Sequence, residues 1–266
     1  MSAQPGRGGS KSGTLILVPN TLDLGCAALT DLQTVLPQSA IECAARLRHW
    51  VCENAKTTRA FLKRVDAVVP LAHALASLDI RELPRAAKGA PPQRAAEPAS
   101  AALLELLAPA LAGFELGLIS DAGLPAVADP GAALVAAAHA AGVGVRVLAG
   151  PNSMMLALAA SGLDGQSFAF VGYVPRETDA LTRRLVELES VSRRLRQTQL
   201  MIEAPYRNAA LLRALTSALD PGTQLSVSCG LTLAGGWTQS DSVAAWRRRS
   251  TEMPADVPAV FALLAK

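Results

Sequence analysis

The chain has 266 residues, enough for one large domain or two of ordinary size, and half of them are hydrophobic although only 4% are aromatic. A formal net charge of +3 is too small for a protein coated with nucleic acid, while leaving room for a local basic patch that meets an acidic partner. Four cysteines without CxxC spacing (Cys26, Cys43, Cys52, Cys229) argue against a zinc site or a disulfide framework, and no uncharged apolar run of about eighteen residues marks a membrane span.

These counts predict a soluble cytoplasmic protein with reduced thiols and no membrane partner. Residues 1–12 read as a disordered tail, since MSAQPGRGGSKSG has no apolar signal core and its GRGGSKSG lacks the second glycine of a phosphate loop, at Ser10. TLILVP, residues 14–19, is a short apolar run stopped by proline, as a buried parallel strand would be. A helix from about Gly25 to Val35 and a strand in SAIECA, 39–44, continue a βαβ rhythm. Helical spacing returns from Lys56 to Val65, and the Pro- and Ala-rich residues 84–100 read as an exposed loop.

A helix in AALLELLAPALAG and a strand in FELGLI lead to SDAGLPAVADPG, residues 120–131. Two aspartates, two prolines and two glycines in twelve positions exceed what a turn requires. The helix GAALVAAAHAAG follows, with Asp129 expected as N-cap, Pro130 at the first helical position and Gly142 as the stop. The strand VGVRVLAG and the helix PNSMMLALAASG complete the first unit. From Phe168 the strand FAFVGYVP, a charged helix over 177–198, the strands QLMIEAP, TQLSVSC and VPAVFALLA, and the helix RNAALLRALTSAL make a second α/β unit. The domain boundary is placed near residue 162, giving domains 13–162 and 163–266. Turns at the carboxyl ends of the strands are where open α/β sheets bind ligands.

The order LISDAGLPAVADPG, VRVLAGPNS, FVGYVP, MIEAPYR resembles the tetrapyrrole methylase superfamily, most closely its ribosomal RNA small-subunit methyltransferase I branch. The likeness covers about residues 13–264, with SDAGxPxxxDPG its most specific element. It implies two α/β domains with a cofactor cleft between them, a homodimer, S-adenosylmethionine as cofactor, and methylation of a cytidine 2′-hydroxyl in 16S ribosomal RNA or the small subunit. Pro19, Ser120, Asp121, Ala122, Gly123, Pro125, Gly150, Pro151, Asn152 and Ser153 are the implied cofactor contacts of the first loops. Ala204, Pro205, Leu231 and Thr232 are those of the second domain. The chain departs from the pattern in CENAKTTR, where Asn54 replaces an acid, and in SCGLTLAGG, where Gly230 and Leu233 stand for a glutamate and a lysine.

The sulfonium methyl of S-adenosylmethionine is already activated, so such an enzyme has to align the acceptor and exclude water. Oxygen methylation also requires a proton acceptor, for which Glu53 and Glu203 are the candidates, Glu203 having the alternative of pairing with Arg207 four residues on. Asp121 serves either a ligand or an Asx-turn. His49, His73 and His139 are scattered, so no metal is expected. Arginines cluster at 183–184, 193–196 and 247–249, either as phosphate contacts or as a solvated surface. The neutral Asn54, Gly230 and Leu233 keep two other readings open: a methyltransferase for a tetrapyrrole or other small molecule, and a cofactor-binding module without catalysis.

Overall fold

The computed structural model describes residues 13–23, 25–84 and 100–266; the expected tail and all but the ends of the loop at 84–100 fall outside them. Two compact units result, one of Met1–Thr21 with Asp31–Pro151 and the other of Leu22–Thr30 with Asn152–Lys266.

In the first unit the strands are β1 (Thr14–Leu17), β2 (His49–Cys52), β3 (Asp79–Glu82), β4 (Glu115–Ile119) and β5 (Gly144–Val147). The helices are α1 (Leu32–Val35), α2 (Gln38–Arg46), α3 (Ala55–Val68), α4 (Ala101–Leu106), α5 (Ala108–Leu111) and α6 (Ala132–Ala140). The sheet is parallel throughout, in the order β3-β2-β4-β1-β5. Leu15, Leu116 and Leu118 face a cluster with Leu103, Leu107 and Leu134, whereas Ile16, Trp50 and Ile119 face one with Ile41, Phe61 and Leu62. Burial on both faces explains why β1 and β4 read as continuous apolar runs.

Two expectations are corrected here. SAIECA is not a strand but part of α2, which buries Ala40, Ile41, Cys43, Ala44 and Ala45, the spacing of one helix face, directly after Pro37. The helix expected over 25–35 is reduced to the single turn α1, capped by Asp31, whose carboxylate accepts from the Gln33 amide.

The second unit holds α7 (Ser153–Ser161), β6 (Phe168–Tyr173), α8 (Thr178–Leu195), β7 (Thr198–Ile202), α9 (Asn208–Ala218), β8 (Gln224–Cys229), β9 (Trp237–Ser242), α10 (Val243–Trp246) and β10 (Ala259–Leu264). Its sheet, β6-β7-β10-β8-β9, is mixed: β6 and β7 run parallel and the remaining pairs antiparallel. Met201, Val227 and Phe261 pack against Leu185, Leu211 and Leu215 of α8 and α9, while Leu200, Val260 and Ala262 pack against Ala157 and Leu158 of α7. That second contact places α7 in this unit, so the change-over falls at 151/152 rather than near 162.

Candidate functional site

In the first sheet the chain leaves β1 for β2, beyond β4, and leaves β4 for β5, beyond β1. Connections therefore diverge between β1 and β4, and such a switch point opens a crevice at the carboxyl ends of the strands. The loops found there are Val18-Pro19-Asn20-Thr21 and Ser120-Asp121-Ala122-Gly123, the latter being the opening of the aspartate- and glycine-rich stretch.

Hydrogen bonds lock the two loops together. The Asn20 amide group donates from Nδ2 to the carbonyls of Ser120 and Asp121, both at 3.1 Å, and the backbone bonds Asn20 N–H to Gly123 O (2.8 Å) and Gly123 N–H to Thr21 O (3.1 Å) close the ladder. Asn20 is 5% exposed. Its role was not singled out from sequence; the available signal was an amide side chain directly after a strand-ending proline. Gly150, on the loop after β5, abuts Pro19: a Cβ built on it would lie 2.2 Å from the Pro19 Cβ, so only glycine allows the approach.

The carboxylates gather at the same place. The Asp121 amide donates to Glu53 Oε2 at 3.4 Å, and the Asp121 carboxylate accepts from the Thr57 hydroxyl at 2.5 Å. Asp121 thus reaches across to α3 rather than closing an Asx-turn. Burial pushes the Glu53 carboxyl up, an effect opposed by the Asp121 amide and reinforced by the Asp121 charge. Asp129 is pushed up to about 7, mainly by burial and then by the charges of Glu53 and Asp121.

Asp129 is consequently not the helix cap expected of it. The N-cap of α6 is Gly131, at φ +129°, without a side-chain bond. Ala126 and Ala128 lie between, at φ +66° and +64°, a region that costs an L-residue about 1–2 kcal/mol. Two strained alanines turn the chain so that Asp129 is drawn toward the other two acids instead of toward the amides of α6.

Asn54, the neutral replacement for an acid, has a structural use. Its side chain caps α3 by accepting from the Lys56 amide at 2.9 Å, a task asparagine performs as well as aspartate.

In the second unit Glu203 is 7% exposed and both of its oxygens are engaged, one by Arg207 Nε at 3.0 Å and the other by the Ala204 amide at 2.9 Å. It locks the turn Ala204-Pro205 after β7, so the ion pair seen as its alternative is the arrangement present. Asn152 caps α7 through the Met155 amide, with Ser153 as the first helical residue. Leu231 packs beside Leu158 and Leu200. Gly230 adopts φ +65°, where a glutamate would be strained, and this accounts for the glycine. Thr232, at φ +71°, accepts from the Thr30 hydroxyl through its carbonyl at 3.3 Å.

Buried polar atoms lacking a partner are scarce in folded proteins. Among the described residues four side chains carry one, Ser120, Asn208, Ser226 and Thr232, and two of these are residues implied as cofactor contacts. Among the same residues no group of three or more His, Cys, Asp or Glu is disposed to hold a metal, and no helix is long and apolar enough to cross a membrane.

A model of the tetrapyrrole (corrin/porphyrin) methylases matches residues 56–238. The chain belongs to that family. Similar curated proteins include the ribosomal RNA small subunit methyltransferase I of Vibrio cholerae serotype O1, 37% identical over 122 residues covering 46% of this chain and 41% of that protein. The protein of the same name from Micromonospora olivasterospora is 41% identical over 107 residues, covering 40% of this chain and 33% of its own length. The matched stretch thus spans well under half of those relatives. Among solved structures, the methyltransferase CobJ superposes with a TM-score of 0.53 at 16% identity, over 97% of this chain and 100% of that one. A conserved hypothetical protein from Aeropyrum pernix K1 gives 0.57 at 16% identity, over 97% and 86%. These two likenesses show that the fold they share with this chain extends along nearly all of it.

Proposed function

We propose that this tetrapyrrole methylase is an S-adenosylmethionine-dependent methyltransferase acting on ribosomal RNA, of the 2′-O-ribose type. The observation that carries the reading is the switch-point cradle: a backbone-lined loop pinned by Asn20, with the Ser120 hydroxyl buried and lacking a protein partner. A polar cofactor with an adenosine and an amino-acid end suits such a lining. The two relatives named as ribosomal RNA methyltransferases direct the choice of acceptor.

On this reading Pro19, Ser120, Asp121, Ala122, Gly123, Pro125, Gly150 and Pro151 of the first unit would hold the cofactor. When bound, the cofactor supplies an activated methyl group. Glu53 is the proton acceptor of choice, because burial raises its carboxyl toward the range of a useful base whereas Glu203 is held in an ion pair. Thr57 and Asn20 fix the loop that presents Asp121. The reading includes a homodimer in the cytoplasm; the four free cysteines agree with a reducing compartment.

Calorimetric titration with S-adenosylmethionine tests the cofactor, with Ser120→Ala expected to weaken binding. Transfer of a tritiated methyl group to 30S subunits tests the acceptor. Transfer to uroporphyrinogen and not to RNA would move the reading to a small-molecule methyltransferase, and binding without transfer to either would leave a cofactor-binding module.

A further inference from the structure

We infer that strand β6 presents an aromatic strip on which unstacked bases of single-stranded RNA lie; this rests on the ribosomal RNA reading above. β6 is an edge strand, paired only with β7. Phe168 pairs with Thr198 and Phe170 with Leu200, and residues directly paired in adjacent strands project from the same face. After Phe170 the register shifts by one residue, so that Tyr173 pairs with Ile202. The extra residue restores the parity that strict alternation would have lost, and Tyr173 joins Phe168 and Phe170 on the face that carries Leu200.

Helix α7 covers this face of the sheet over β8, β9 and β10. Phe168, Phe170 and Tyr173 remain 38%, 36% and 64% exposed. Only ten of the 266 residues are aromatic, so three exposed rings within six residues are far from a random scatter. Tyr206, 66% exposed, lies just beyond the carboxyl end of the adjacent β7. A solvated edge strand is normally protected by charges or proline, and this one carries rings instead.

Charge decides the occupant. Arg196 precedes β7 at the end where Phe168 begins, Arg176 follows Tyr173 at the other end, both are exposed, and neither has an ion-pair partner among the described residues. The nearby carboxylates are committed to local amides: Asp164 accepts from Gln166 and Ser167, and Glu177 from Asp179 and Ala180. A row of π-faces with an unpaired guanidinium at each end matches a polyanion bearing bases, since base-on-ring stacking tolerates any sequence while arginine takes the phosphates. Rings two residues apart on a strand are about 6.6 Å apart, roughly twice the spacing of stacked bases, so the bases would be splayed, one to a ring.

The test measures binding of a fluorescein-labelled single-stranded oligoribonucleotide by anisotropy, for the full chain and for the double variant Phe168→Leu/Phe170→Leu. Leucine keeps apolar bulk on the strand and removes only the π-face, and Phe170→Trp is the conservative control. At least tenfold weaker binding by the double variant, near wild-type binding by Phe170→Trp, unchanged S-adenosylmethionine affinity and an unchanged sedimentation coefficient are expected. Equal RNA affinity of wild type and double variant overturns the inference, as does a wild type that binds no RNA. Loss of RNA binding together with a drop in sedimentation coefficient also overturns it, by making the strip a contact between copies of this chain. Methyl transfer to 30S subunits by the wild type judges the underlying reading separately: transfer with an unaffected double variant removes the strip alone, and no transfer removes the reading.

Discussion

Replacing Asp129 by asparagine should stabilise the protein above neutral pH and do little once the pH falls to about 4. The folded carboxyl titrates at about 7 against an ordinary 3.8, because folding takes it partly out of water and sets it near Glu53 and Asp121. Between pH 4 and 7 the folded state retains a proton that the unfolded chain has released, so stability falls as pH rises through that window and is level on either side of it. About three pH units at 1.36 kcal/mol each give a ceiling near 4 kcal/mol, and solvent around a partly exposed group brings this to about 2 kcal/mol. Asparagine has nearly the same shape and no proton to lose, so it escapes the penalty. Urea unfolding followed by circular dichroism at pH 4 and pH 8 checks this: the variant should gain about 2 kcal/mol over wild type at pH 8 and about a quarter of that at pH 4. An identical gain at both values, or none at pH 8, would refute the electrostatic account of Asp129.

Ala128→Gly should raise stability by about 0.5–1 kcal/mol, since glycine takes φ +64° without strain although its unfolded chain has more freedom; thermal unfolding measures it. Gly150→Ala should lose about 1–3 kcal/mol, because the new methyl collides with Pro19 and forces the β1 and β5 loops apart; weaker S-adenosylmethionine binding should accompany the lower melting temperature. Asn54→Ala should cost about 1 kcal/mol by uncapping α3, whereas Asn54→Asp should be close to neutral in the same melt. Thr57→Val, which leaves Asp121 without its hydroxyl donor, should weaken cofactor binding in calorimetry more than it lowers the melting temperature.

Both units and most of the strands that form their centres were legible in the sequence because β1, β4, β7, β8 and β10 are buried runs bounded by turn residues. The elements that escaped are of another kind. β3 reads DIRE and β9 reads WTQSDS, and both are edge strands whose position in the sheet is set by backbone pairing rather than by an apolar pattern. β2, four residues long, is marked chiefly by Trp50, whose ring is fully buried. α2 read as a strand because six residues of SAIECA are too few to separate period two from period 3.6. At the site, the loop 120–125 followed from its composition and its likeness to known sequences. The convergence of Glu53, Asp121 and Asp129 depends on two alanines in left-handed conformation, and alanine at a left-handed position leaves no trace in sequence.

The short segment Leu22–Thr30 has a consequence for dissecting this protein into pieces. It belongs to the second unit although both of its neighbours in sequence belong to the first, and it is tied there by the Thr30 hydroxyl on the Thr232 carbonyl. A gene fragment cut at Asn152 would therefore encode a second unit missing one of its own parts. Supplying residues 22–30 as a separate peptide, or grafting them ahead of Asn152 through a linker, is the route to an autonomous half.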